Sequence, residues 1–329
     1  MIRSLYYQPN VPLRTDLPPE EFSSAIQNRD SVLWVDFSGE APEVCEPILQ
    51  QFGFHPLSID DALQETHSPK IDDWSEYLYI VINYMHMNGE AKDNWDIEVD
   101  ELDIFLGLNY VVTHHDHPLP SLDATWASCQ RDLRHFQEGA DHLLYKIIDN
   151  VVTNYMPIVE RIDEAIDIIE DEVFDRPVPK TLEQIFALKR VLLAMRRILL
   201  PQREVLNKLA RDDYLVIDRK DRIFFRDIYD HLVRLHDLNE SLRDLVSGAL
   251  DTYLSVINNR MNEIMKTFTL ITTLFMPITF VTGFFGMNFF EPVAKLVGWT
   301  TREAFITTLG ILTLLPVGMY FWMRRRTWV

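Results

Sequence analysis

MNEIMKTFTLITTLFMPITFVTGFFGMNFF, residues 261–290, decides how this chain is built. After Lys266 no charged side chain occurs through Phe290. That run is close to the roughly 20 residues a helix needs to cross a hydrocarbon core. A second uncharged run, 304–323, ends on Arg324-Arg325-Arg326. With Lys266 before the first run and three arginines after the second, the excess of positive charge puts both flanks in the cytoplasm. EPVAKLVGWTTRE, residues 291–303, is then a short external loop, and Trp299, Trp322 and Trp328 suit the two interfaces. The competing reading is a pair of buried helices in a soluble core, which the basic stop RRR disfavours. A two-helix hairpin cannot enclose a water-filled path alone, so a pore requires several copies around an axis.

Outward from that segment the 329-residue chain is acidic, with a formal net charge of −19, 47% hydrophobic and 25% charged residues. Such a composition supports a real core and excludes a fibrous or disordered protein. The charge repels phosphate, attracts cations, and argues against nucleic acid as a partner. Cys45 and Cys129 are far apart in ordinary contexts, which predicts a reducing compartment and neither a disulfide framework nor a C-x-x-C metal site. The opening residues lack an apolar stretch of the secretory kind. Walker, G-x-S-x-G and HExxH patterns do not occur, and an enzyme is not expected.

The part before Lys266 divides by periodicity. Ser31–Phe37, Leu78–Tyr84, Glu101–Gly107 and Tyr110–Thr113 have the β-branched and aromatic content of strands, with helical stretches at Pro42–Gln51 and Ser58–Thr66. From about Pro118 the pattern is helical: Asp141–Phe174 with a kink expected at Pro157, then Thr181–Ala210 broken or kinked at Pro201. Asp221–Phe285 reads as one very long helix running from cytoplasm into membrane.

That helix carries a stripe in alternating steps of four and three: Asp244, Gly248, Asp251, Ser255, Asn258, Asn262, Met265, Thr269, Thr272, Met276, Thr279, Gly283 and Gly286. The spacing is a heptad seam, yet its residues are small, polar or Met. On a membrane-crossing helix, Thr, Asn and Gly belong against other helices or water while Leu, Ile and Phe take lipid. Copies around an axis would line a channel, with Asp251 as a carboxylate ring at the wet end and Met265 and Met276 as apolar constrictions. A tight helix–helix interface explains the same stripe equally well, and back-bonding of Thr to its own helix weakens the polarity argument.

The first run ends on Gly286-Met287-Asn288, which resembles the signature of the CorA family of divalent-cation (magnesium/cobalt) transporters. Other stretches are similar to that family: His55-Pro56-Leu57-Ser58-Ile59-Asp60-Asp61, Ser68-Pro69-Lys70-Ile71, Asp227-Ile-Tyr-Asp230-His, Val246–Ser255, Met261–Lys266 and Met276-Pro277-Ile-Thr279-Phe280. The resemblance extends from about Ile2 to Val329. It implies an α+β cytoplasmic domain in α/β/α layers, a long stalk helix and two transmembrane helices, assembled as a funnel-shaped homopentamer. The implied division is 1–220 cytoplasmic domain, 221–266 stalk, 267–290 pore-lining first span, 291–303 external loop, 304–323 second span and 324–329 basic tail. It implies a multi-pass protein of the plasma (inner) membrane with both termini cytoplasmic, surrounded by lipid bilayer. Gly286, Met287 and Asn288 would form the selectivity filter, with Asn288 binding the incoming hydrated ion. Positions matching the family's pore lining are Asn262, Met265, Phe268, Met276, Thr279, Gly283 and Asn288, with Asp251 below; Phe268 lies one place off the stripe, which adds Asn258, Thr269 and Thr272.

The chemistry favours Mg²⁺, with Co²⁺ or Ni²⁺ admitted. Mg²⁺ wants oxygen ligands and sheds water reluctantly, and Asn288 amide oxygens can hydrogen-bond its hydration shell. Zn²⁺ prefers His and Cys, which the stripe lacks. Two departures from the family pattern are Phe285, where Tyr is frequent, and an outer loop whose attraction for cations rests mainly on Glu291. The resemblance also implies a regulatory Mg²⁺ held between neighbouring subunits at Asp227. Asp230 shares its helix face, and Glu90 is the candidate partner in the turn near Met87-Asn88-Gly89-Glu90, with Asp93 further on. The acids of 160–175 (Asp163, Glu164, Asp167, Glu170, Asp171, Glu172) add like-charge repulsion that such ions would screen. No organic cofactor is expected. His114-His115-Asp116-His117 reads as a polar strand end, since adjacent residues of an extended chain point to opposite sides. Alternatives are a Zn²⁺ transporter, with or without proton coupling, and a non-conducting CorA-like membrane scaffold.

Overall fold

A computed structural model of the chain describes residues 1–64, 68–87, 95, 97–175, 177–287 and 301–326. Glu90, Asp93, Asn288, Glu291, Lys295, Trp299 and Trp328 lie outside the described residues. The chain separates into two compact units, Met1–Leu250 and Asp251–Val329.

The first unit is built on a seven-stranded sheet. Its strands are β1 (Ile2–Tyr7), β2 (Arg14–Thr15), β3 (Val32–Ser38), β4 (Lys70–Asp73), β5 (Leu78–Met87), β6 (Ile97–Leu106) and β7 (Tyr110–His115), in the order β2-β1-β3-β7-β6-β5-β4. Only β3 and β7 pair in parallel; the other neighbours are antiparallel. Alternation sorts side chains to the two faces. Leu33, Val35, Phe37, Tyr79, Val81, Phe105 and Val112 pack with residues of α1 (Phe22–Gln27), α2 (Pro42–Gln51) and α3 (Pro56–Leu63). Trp34 faces the other way, fully buried, its ring 4.7 Å from that of Trp126 in α4 (Pro120–Arg131) and its Nε1–H donating to Thr113 Oγ1 at 3.1 Å. That face is covered by α4 and by α6 (Ala140–Thr153), with α8 (Pro179–Arg211) against β4 and β5 and the short α5 (Arg134–Gln137) against α6. The layering is the α/β/α arrangement expected.

Two helix breaks differ from expectation. Asn154 and Tyr155 separate α6 from α7 (Met156–Asp175), because both side chains turn away to the sheet: Asn154 Nδ2 donates to Tyr84 Oη at 3.1 Å, and Tyr155 Oη to the Asn83 carbonyl. Pro157 then sits in the first turn of α7, where its missing N–H costs nothing. At Pro201, α8 runs on unbroken, and the next residue, Gln202, is buried, donating to Tyr155 Oη at 2.9 Å and accepting from Asn83 N at 3.2 Å.

The helix α9 spans Arg222–Gly286, 65 residues, or roughly 100 Å at 1.5 Å per residue. It passes through Pro277 without ending. Its first half carries a buried seam: Phe225, Ile228, Leu232, Leu235, Asn239, Leu242, Val246 and Ala249. Those positions alternate by three and four, and Asn239 at a core position ties its amide to the Leu192 carbonyl of α8 at 3.2 Å. The second unit holds the far half of α9 and α10 (Arg302–Arg325). Both helices are long and apolar enough to cross a membrane. Phe275, Phe280, Phe305 and Leu314 are among the large apolar side chains they expose, and surface of that kind is covered in a working protein by lipid or by other chains.

Candidate ion pathway and acidic sites

The polar stripe read from the sequence lies on one side of α9, and every member from Asp244 to Gly286 is exposed. At Asp244 and Gly248, within the first unit, it is turned about 150° round the helix from the buried Val246 and Ala249. From Asn258 to Thr269 every residue of α9 is exposed, whichever side it is on. A straight α-helix drifts roughly 20° per heptad against a 3.5-residue repeat, so keeping the stripe on one axis over its six heptads requires a left-handed supercoil.

Glycine in a helix interior costs up to about 1 kcal/mol relative to Ala. At Gly248, Gly283 and Gly286 a Cβ would meet nothing within 4 Å among the described residues. Their small size is therefore not required by packing within the chain. Three of the stripe's four hydroxyls are spent inward: Ser255 Oγ donates to the Asp251 carbonyl at 2.9 Å, Thr269 Oγ1 to the Met265 carbonyl at 2.8 Å and Thr279 Oγ1 to the Phe275 carbonyl at 3.0 Å. With the proton committed to the helix, the remaining lone pairs make these oxygens acceptors. An acceptor-lined wall suits water molecules bound to a cation, whose protons point outward.

Phe268, one residue from the stripe, belongs to a second line. Leu254, Met261, Phe268 and Phe275 repeat every seven residues and are all exposed, about 80° round the helix from the stripe's centre. A polar line and an apolar line thus run side by side. Met265 and Met276 are exposed on the polar one. The helix ends at Gly286, where Met287 N donates to the Phe284 carbonyl at 3.3 Å. Asn288 and Glu291 lie beyond the described residues.

Asp227 and Asp230 are exposed on the first turns of α9. The residue that sequence reasoning missed is Asp149 on α6. Burial raises its carboxyl first, Lys146 opposes, and the charge of Asp227 raises it further. Tyr145, on the same helix, is raised by burial and then by both acids. Tyr145 of α6 stacks on Phe224 of α9 with ring centroids 4.9 Å apart, so the two helices meet where Asp149 and Asp227 feel each other's charge. A single Asp one turn from Lys146 carries no sequence signal of this.

The histidine cluster disperses, as extended geometry requires. His114 Nδ1 is 3.6 Å from Asp103, His115 Nε2 is 3.4 Å from Asp36 on the opposite face, and His117 Nδ1 is 3.0 Å from Asp100. The two buried Asp–His pairs shift in opposite directions. Burial pushes both carboxyls up, but at Asp36 hydrogen bonds from His115 and Thr113 and the charge of Arg3, 2.8 Å away, hold it below its ordinary value. Asp103 has Tyr79 and His114 without an arginine, and burial wins.

Residues 29–325 match the family described as CorA-like Mg²⁺ transporter protein. The chain is 32% identical over 318 residues to the cobalt/magnesium transport protein CorA of Thermotoga maritima, covering 94% of this chain and 87% of the relative. It is 34% identical over 298 residues to a putative metal ion transporter of Bacillus subtilis, covering 90% and 89%. A zinc transport protein of Yersinia pseudotuberculosis is 25% identical over 308 residues, covering 93% and 90%. Among solved structures, the CorA magnesium transporter of Methanocaldococcus jannaschii superposes with a TM-score of 0.83 at 20% identity, covering 99% of this chain and 98% of that one.

Proposed function

The chain belongs to the CorA-like Mg²⁺ transporter family, and from that premise we propose that it conducts divalent cations across a membrane, Mg²⁺ foremost and Co²⁺ or Ni²⁺ in addition, through a pore made of several copies of α9. The observation that carries the proposal is a stripe of small, polar and Met residues at heptad spacing on a helix long and apolar enough to cross a membrane. The membrane half of α9 is exposed all round, and among the described residues nothing packs against Gly283 or Gly286, which leaves the stripe to other chains or water.

In a homopentamer the stripe would become the wall of the pathway. Asp251 would gather cations at the wet end, and Asn258, Asn262, Thr269, Thr272 and Thr279 would accept hydrogen bonds from the ion's water. Met265 and Met276 would pinch it with apolar surface. Gly286, Met287 and Asn288 would form the outer filter, where amide oxygens hold the hydrated ion without stripping it, as suits the reluctance of Mg²⁺ to dehydrate. Lys266 and Arg324–Arg326 would, by the positive-inside rule, lie on the inner side of a plasma (inner) membrane. Cytoplasmic Mg²⁺ would hold the pore shut by bridging acidic subunit faces at Asp227 and Asp230.

Mg²⁺ uptake into liposomes by wild type and by Asn288→Ala tests the reading. Wild-type uptake that falls to background in the variant supports it; equal uptake by both removes Asn288 from the filter, and no uptake by well-folded wild type favours the scaffold. The zinc-transport relatives keep a second reading in view. The described stripe holds no His or Cys, which disfavours it. Zn²⁺ uptake exceeding Mg²⁺ uptake and driven by a pH gradient would reverse that order.

A further inference from the structure

The turn that leads into α9 brings together carboxylates that the conduction reading does not use. Asp141, in the first turn of α6, accepts from its neighbour His142 N at 3.0 Å through Oδ1 and from Asp218 N at 2.8 Å through Oδ2. Asp221 immediately precedes α9 and is 1% exposed. One oxygen from each of Asp141, Asp218 and Asp221 lies within 4.8 Å of the other two. Gly139 makes room for this: it adopts φ +119°, and a Cβ there would stand 2.7 Å from Asp141 Oδ1.

An acidic cluster alone proves nothing, but two buried atoms here lack partners. Asp221 Oδ2 has no hydrogen bond, and neither does His142 Nδ1, 3.4 Å from Asp221 Oδ1. A buried anionic oxygen without a hydrogen bond is costly. Lys220 relieves it only in part. Its Nζ stays 3.8 Å from Asp221 and 3.9 Å from Asp218, donates to the Glu138 carbonyl, and is 57% exposed. Burial pushes both carboxyls up: at Asp141 the charge of Asp221 adds to it against the hydrogen bond from Asp218 N, and at Asp221 the charge of Asp218 adds to it against Lys220 and a hydrogen bond with Asp141. The arrangement asks for positive charge at a point all three carboxylates can reach.

We propose that Asp141, Asp218 and Asp221 bind one hard divalent cation within each chain, clamping the turn before α9 to the start of α6. Hard cations take carboxylate and water oxygens at 2.0–2.6 Å, and ligand oxygens spaced this closely fit around one ion. The site is separate from Asp149 and Asp227, lies wholly within the first unit, and stands whether or not the protein conducts.

Mn²⁺ binding to the full-length protein in detergent, followed by electron paramagnetic resonance in an Asp227→Ala background, gives the test. Asp218→Asn alters an exposed side chain and should fold normally; it and Asp221→Asn should each remove one bound Mn²⁺ per chain. Lys220→Met should tighten that binding, by removing a competing cation. Mg²⁺ or Ca²⁺ should displace the Mn²⁺, and which does so at lower concentration identifies the resident ion. Unchanged stoichiometry in folded Asp218→Asn overturns the proposal, as does Mn²⁺ that neither Mg²⁺ nor Ca²⁺ displaces.

Discussion

The two faces of α9 put the same kind of helix to opposite uses. On the face that carries Phe225, Leu232, Leu235 and Leu242, apolar side chains are buried at heptad spacing and the one polar member, Asn239, is anchored to α8. On the face that carries Asn258, Asn262, Thr269 and Thr279, polar side chains stand exposed at the same spacing. A buried face reports what its own chain needs. An exposed face with unrequired glycines and acceptor oxygens reports what the chain lacks alone. The periodicity is common to both, so periodicity identifies a seam and residue chemistry tells which kind it is.

The sharpest way to break this contrast is to mutate one face and measure the property assigned to the other. Thr279→Leu replaces an acceptor oxygen with apolar bulk and is expected to cut Mg²⁺ flux by on the order of tenfold or more, with the thermal unfolding of the first unit unmoved. Away from α9, in the sheet core, Trp34→Ala removes a fully buried indole, and should cost about 3–5 kcal/mol of stability and leave the ratio of Mg²⁺ to Co²⁺ flux unchanged. Leu235→Ala, on the buried seam, is expected to lower stability by about 2–5 kcal/mol; if it changed selectivity instead, the division between the faces would fail.

A smaller effect concerns acid. The Asp36 carboxyl is held below its ordinary value, so its contribution is present above about pH 4 and is lost as pH falls through the depressed folded value. Asp36→Asn should lower stability at pH 7 by about 1–3 kcal/mol and flatten the fall in unfolding temperature below pH 4, measured by calorimetry of the full chain.

Much of this was legible in the sequence because it is local. The apolar β-branched strands β3, β5 and β7 and the long helix follow from pattern alone. The strands that escaped, β1, β2 and β4, are shaped by their neighbours. Lys70-Ile71-Asp72-Asp73 is too polar to read as a strand, and is held by pairing with β5 and by Lys70 contacts to Asp61 and Asp72. Pro157 misled because it falls in the first turn of α7, where its missing N–H was not needed; at Pro201 the helix is not broken. The stripe of α9 was visible since small and polar residues recur on a single helix. Asp149 and the Asp141–Asp218–Asp221 group were not, because each joins α6 to residues some 70–80 positions away.

The polar and apolar lines side by side on α9 give one helix two surfaces about 80° apart, with Thr269, Thr272 and Thr279 on one and Phe268 and Phe275 on the other. A turn of that size would exchange a wet lining for a dry one along one line of sight, without any change in helix length.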